Sequence, residues 1–166
     1  LEVAYYTGAA ERYQLPVSFA AGDHKQHIVD EYPQAIITYV EGKDSSGILY
    51  DGVYDESFRS ALFQAMSRRR KVRGERGVLH GMIGKKFRSL FAGRKDDVQS
   101  EVLSGEQSNT SIIYGKKGIL KLYRKMHEGT NPELEVSRYL TDKTQFGHTA
   151  PYLVSLEYRS DGTEPS

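Results

Sequence analysis

The chain of 166 residues contains no cysteine. That absence removes disulfide scaffolds, thiolate zinc sites and cysteine nucleophiles together, and it fits a reducing compartment. No run approaches the about 20 apolar residues that a membrane helix needs; the longest apolar stretches, such as residues 35–40, are the length of a strand. The opening Leu1-Glu2-Val3-Ala4 has neither a basic region nor a long apolar one, so no secretory signal is read there. These absences predict a soluble, cytoplasmic protein with no membrane partner. Internal repeats and sustained heptads are also missing. An initiator methionine is absent, and the expectation drawn from it is a piece of a longer polypeptide. Net charge is nearly absent at +1, so it names no polyanionic partner.

What is present is the balance of a globular protein, with 38% hydrophobic and 27% charged residues. The length suits one ordinary domain or two small ones, and it can bury a core without staples. The small net charge hides an asymmetry. Residues 1–66 carry 4 basic and 10 acidic side chains, residues 67–95 carry 11 and 1, and residues 96–166 carry 8 and 11. The middle block includes Arg68, Arg69, Arg70, Lys71, Arg73 and Arg76, then Lys85, Lys86 and Arg88. One reading is a nucleic-acid or phosphate patch. The other is a solvated surface, which is what charge runs usually are. Aromatic residues are sparse in the block, only Phe87 and Phe91, so stacking on bases is poorly supported and the solvated reading is preferred.

Periodicity predicts strands at residues 13–20, with Pro16 favouring an edge, and at 34–40 and 48–51, the last two forming a hairpin across a turn at 42–47. A helix follows, with Asp55 as its N-cap and Phe58, Leu62 and Met66 on one face. Residues 78–83 read as a weak strand and 85–91 as a short helix ended by Gly93. Beyond Gly93 come strands at 98–103, 110–114 and 119–124. Asn131-Pro132-Glu133 then opens a helix: an N-cap, a proline at the first helical position and a carboxylate in the first turn. A last strand covers 152–159, and residues 160–166 have linker composition. The class expected is α+β in two units, 1–95 and 96–166, with a boundary at residues 93–97.

Strand, polar loop, strand, strand, helix, strand is the order of the small lobe of a protein-kinase-like fold. In that lobe the loop covers nucleotide phosphates, the third strand carries a lysine and the helix carries its glutamate. Lys121 lies in the apolar strand Ile119-Leu120-Lys121-Leu122, and an ammonium there needs a partner. The residues Gly105-Glu106-Gln107-Ser108-Asn109-Thr110-Ser111-Ile112-Ile113-Tyr114-Gly115, that strand, and Asn131-Pro132-Glu133-Leu134-Glu135 resemble the bacterial maltokinases. These are distant relatives of aminoglycoside phosphotransferases and protein kinases, often fused behind a trehalose synthase module. The resemblance covers residues 98–158. Less sharply, Gly47-Ile48-Leu49-Tyr50-Asp51 and the helix after it are similar to the N-terminal cap domain of the same kinases.

The resemblance implies an antiparallel-sheet cap over 1–95, then part of a kinase-like N-lobe over 96–166, an antiparallel sheet plus one helix. It implies ATP:maltose 1-phosphotransferase activity in the parent protein, producing maltose 1-phosphate for trehalose and α-glucan metabolism. Lys121, Ser108, Asn109 and Thr110 would bind ATP phosphates. Glu133 and Glu135 both lie near the helix start, where either could simply serve the helix dipole; Glu135 is favoured to orient Lys121 because the family's carboxylate sits at that position. ATP and Mg²⁺ are the cofactors implied for the complete enzyme. The carboxylates that hold Mg²⁺ and take the proton belong to a C-terminal lobe, so no catalytic or metal-binding residue is assigned here and the piece alone is expected to be inactive. Its partners would be that lobe, ATP and maltose.

The loop departs from the kinase Gly-x-Gly-x-x-Gly pattern in having one glycine among hydroxyl and amide side chains. His24 and His27 are three apart, but spacing alone with no third ligand is a weak zinc signal. The rival function is a non-enzymatic module that holds nucleic acid or another polyanion on the basic block 68–95. A third reading is a cap that serves oligomerisation or interdomain contact.

Overall fold

The structure is a computed structural model, and it describes residues 1–42, 46–91, 98–103, 109–144 and 146–160. It is α+β, with several small antiparallel sheets and, among the described residues, four α-helices. The chain divides into two compact units, Leu1–Arg59 and Ser60–Ser166.

In the first unit, β1 (Glu2–Val3) and β2 (Glu11–Tyr13) pair antiparallel. Then come β3 (Val17–Ala20), α1 (Gly22–Glu31), β4 (Ile36–Glu41) and β5 (Ser46–Asp51). The expected strand at 13–20 is therefore two strands in different sheets. Pro16 stands between them, and its carbonyl accepts from Gly52 N–H at 3.0 Å, tying the start of β3 to the end of β5. The expected hairpin is present as β4 and β5, with a bulge between Ile36 and Thr38. β5 is the central strand, flanked by β3 and β4. Ile48 and Tyr50 on its inner face pack with Ala20, Ile28 and Ala35. Helix α1 was not expected from the sequence. Ile28 is its one fully buried side chain, and no side chain caps its start.

Tyr50 ends in a polar contact. Its ring is buried, and its hydroxyl donates to Asp55 Oδ2 at 3.2 Å. Burial and the neighbouring carboxylate push the phenol up to about 12. Asp55 Oδ1 accepts from the Ser57 amide at 2.8 Å and its hydroxyl at 2.7 Å, the N-cap arrangement expected for α2 (Glu56–Ser67). Burial alone would raise the Asp55 carboxyl, but these bonds hold it below its ordinary value.

The second unit contains β6 (Lys71–Arg73), β7 (Gly77–Ile83), α3 (Phe87–Phe91), β8 (Ser100–Leu103), β9 (Asn109–Tyr114), β10 (Gly118–Tyr123), β11 (Lys125–Met126), α4 (Pro132–Lys143) and β12 (Val154–Ser160). One sheet has the order β8-β9-β10 and another β6-β7-β12. Phe63 of α2, Phe87 and Phe91 of α3, and Ile112 and Tyr114 of β9 form one core.

The expected division at residues 93–97, which themselves lie outside the described residues, is corrected by this arrangement. Side chains from both sides of it share the Phe63 core, and β12 pairs with β7 along its whole length rather than joining β8-β9-β10. The compact units divide between Arg59 and Ser60 instead. The physical reason is burial: α2 and α3 would leave three phenylalanines without a core if residues 98–160 formed a separate body.

Helix α2 lies against β7 at Gly81, where an added Cβ would stand within clashing distance of the Ala65 carbonyl oxygen. The obstacle is backbone, so neither partner can step aside by a rotamer change. Gly81→Ala is expected to destabilise the fold by about 3 kcal/mol through overpacking, read as a lower urea midpoint with unchanged m-value.

Candidate functional site

Antiparallel pairing places Lys121 opposite Ser111, Leu122 opposite Thr110 and Tyr123 opposite Asn109. Alternation puts Leu120 and Leu122 on the core side, with Leu122 buried and Leu120 packed on the aromatic cluster. Ile119, Lys121 and Tyr123 take the other face, where Ile119 and Lys121 are exposed.

The start of α4 meets that second face. Asn131 Oδ1 accepts from Glu133 N–H at 2.9 Å and Leu134 N–H at 3.2 Å, and Pro132 opens the helix as the sequence predicts. Glu133 Oε1 accepts from Lys121 Nζ at 2.5 Å, and Oε2 accepts from the Tyr123 hydroxyl at 2.6 Å. One carboxylate thus spans two alternate residues of β10. Those bonds, Lys121 first and Tyr123 second, hold the Glu133 carboxyl below its ordinary value against a small opposing effect of burial.

The glutamate assigned to orient Lys121 was Glu135, and the structure corrects this to Glu133. Two residues further along a helix is a rotation of about 200°, so Glu133 and Glu135 cannot present the same face to β10. Glu135 is exposed, and its backbone N–H donates to the Asn131 carbonyl at 3.0 Å. Tyr123 is the residue that sequence reasoning left without a role. Its signal was the two-residue spacing from Lys121, which puts a phenol beside the ammonium on one strand face.

The other proposed phosphate contacts separate. Asn109 shares the Lys121 face, opposite Tyr123. Thr110 lies on the other face, with Leu122, and its Oγ1 accepts from Arg124 Nε at 2.9 Å. Alternation in β9 is the reason: neighbouring residues cannot both point at Lys121. Ser108, with the loop before it, lies outside the described residues.

The arrangement left is an accessible ammonium, with its side chain 42% exposed, held by a 52% exposed carboxylate beside a phenol and an amide. Such a lysine can meet an anionic oxygen while the carboxylate keeps it in place. Among the described residues no group of three or more His, Asp or Glu stands close enough to hold a metal ion. His24 and His27 on α1 lie edge-on to Tyr50 and Tyr32, with ring centroids 6.0 and 6.1 Å apart.

The basic block resolves into two places. Residues 68–76 are exposed without interruption and run from the end of α2 through β6 into the turn before β7. Lys85 instead donates to the Asp142 carbonyl at 3.0 Å, fastening the C-terminal part of α4. No helix among the described residues is long and apolar enough to cross a membrane. No protein-family model matches the sequence.

Removing the Asn131 cap and removing the Glu133 charge should separate in pH. Asn131→Ala is expected to cost about 1 kcal/mol across the pH range. Glu133→Gln should cost under about 1 kcal/mol at pH 7, because the pair is exposed. A carboxyl lowered by folding stabilises above its ordinary value of 4.5 and loses that contribution as pH falls through the lowered value. Urea unfolding from pH 7 to pH 3 should therefore show a shallower acid-side decline in Glu133→Gln and a parallel one in Asn131→Ala.

Proposed function

We propose that this chain is the nucleotide-side part of an ATP-dependent sugar kinase of the maltokinase type. The observation that carries the reading is the Lys121–Glu133 pair, a strand lysine bonded to a carboxylate in the first turn of the next long helix. It occurs in the segment whose sequence resembles those kinases, and a lysine–glutamate pair between strand and helix is how that chemistry positions phosphates. In the proposal Lys121 holds phosphate oxygens of ATP, Asn109 and Tyr123 line the same face, and Glu133 positions the ammonium. In this reading β8, β9, β10 and α4 supply the elements of the partial N-lobe, and residues 1–59 supply the sheet of the cap.

The resemblance ends at Tyr158. The base that takes the sugar hydroxyl proton and the carboxylates for Mg²⁺ lie, in such folds, in a C-terminal lobe. When bound, Mg²⁺ neutralises charge on the phosphoryl group in transfer. The residues here are assigned binding and positioning, not transfer.

A fluorescent ATP analogue titrated into the 166-residue chain tests this. Saturable binding is expected, weakened at least about tenfold by Lys121→Ala, the loss of one charged contact. Glu133→Ala should weaken it more than Glu135→Ala. In a coupled assay with ATP, Mg²⁺ and maltose the chain should show no turnover. Equal affinity in folded Lys121→Ala, or no saturable binding at millimolar nucleotide, would sink the assignment.

A further inference from the structure

Residues 68–76 hold six basic side chains and one acidic one, Glu75, and all nine residues are exposed. They are displayed on a fixed frame. Helix α2 ends with Arg69 N–H donating to the Met66 carbonyl at 3.1 Å and Arg70 N–H donating to the Ala65 carbonyl at 2.9 Å. Strand β6 then pairs with β7, with Lys71 opposite His80 and Arg73 opposite Val78. β6 is an edge strand, so this basic row borders the sheet.

Two observations set this segment apart from ordinary solvated charge. Arg69 has a φ of 52° at the position that closes α2, where glycine would be unstrained and a side chain is not. Edge protection and the helix dipole both favour basic residues nearby, but neither requires a side chain at that strained position. Five of the six are arginine, the side chain whose fork matches phosphate oxygens.

We propose that the β6–β7 hairpin is a docking surface for the phosphate backbone of a nucleic-acid duplex, independent of base sequence. Charge complementarity carries the choice of partner. The exposed stretch contains no aromatic residue to stack on unpaired bases. Val72 is its one large apolar side chain, too little for the apolar centre of a protein interface or for insertion into a lipid surface. β6 is the outer strand of the three-stranded sheet β6-β7-β12, so its long basic side chains reach phosphate oxygens from the sheet edge without the sheet entering a groove.

Fluorescence anisotropy of the 166-residue chain with a labelled mixed-sequence DNA duplex of about 20 base pairs tests the proposal. Between 50 and 200 mM NaCl, log K against log salt should fall with a slope of roughly −4, as for four to six phosphate contacts. Arg69→Gly is the decisive variant. It removes one charge while relieving the left-handed position, so it should raise the melting temperature, weaken binding at 100 mM salt and flatten the slope by about 1. A combined Arg69→Gly, Arg70→Ser, Lys71→Ser and Arg76→Ser variant should bind at least about tenfold more weakly. Vesicles of phosphatidylcholine and phosphatidylserine in a 3:1 ratio form the second arm. No duplex binding at 50 mM salt, an unchanged slope in the combined variant, or tighter binding to the vesicles than to the duplex would each overturn the proposal.

Discussion

The second unit depends on one aromatic contact set. Phe63 meets Tyr114 at 4.9 Å between centroids, Phe91 at 5.3 Å and Phe87 at 6.0 Å. These rings come from a helix, a short helix and a strand that are distant in sequence. Aromatic side chains carry large burial energies and preferred packing geometries, so this cluster fixes where β9 lies. With β9 fixed, pairing fixes β10, and alternation along β10 decides that Leu122 faces the core while Lys121 faces away. The exposure of Lys121 is thus a consequence of where three phenylalanines found burial.

The elements legible in the sequence were those whose signals are local. Asn131-Pro132-Glu133 marked the start of α4 because cap, proline and carboxylate each act within one turn. Asp55 marked α2 for the same reason, and the dense β-branched and apolar run at 35–40 marked β4. Helix α1 was not legible. Its periodic signal reduces to Ile28 and Val29 among charged and histidine side chains, and Ala21 cannot cap. The partner of β12 was not legible either, since period-two patterning states that a strand has two faces but not which strand lies beside it.

The candidate site was half legible for the same reason. Lys121 stood out as a charge in an apolar strand, and alternation placed Tyr123 beside it. Choosing between Glu133 and Glu135 needed the angle at which α4 meets β10, which is tertiary information. Thr110 was placed at the start of a strand yet grouped with Asn109 on the phosphates; β9 begins at Asn109, and alternation from there turns Thr110 to the other face.

Helix α4 contains no buried residue. It is fastened near its ends instead: Glu133 to Lys121 and Tyr123 at one, and Lys85 to the Asp142 carbonyl and Tyr152 N–H to Thr141 Oγ1 at the other. Between them Val136 and Tyr139 are exposed. A packed helix resists sideways motion through many weak contacts that yield gradually. A helix pinned at two points behaves as a beam on two supports, whose supports hold at full strength or release. Hydrogen bonds weaken steeply with misalignment, so a small shift of either end is felt strongly at its support. The two supports are chemically unlike, an ion pair with a phenol at one end and, at the other, a lysine bonded to a carbonyl and a backbone N–H bonded to a threonine hydroxyl. Acid or salt therefore loosens one end of the beam while leaving the other as a pivot.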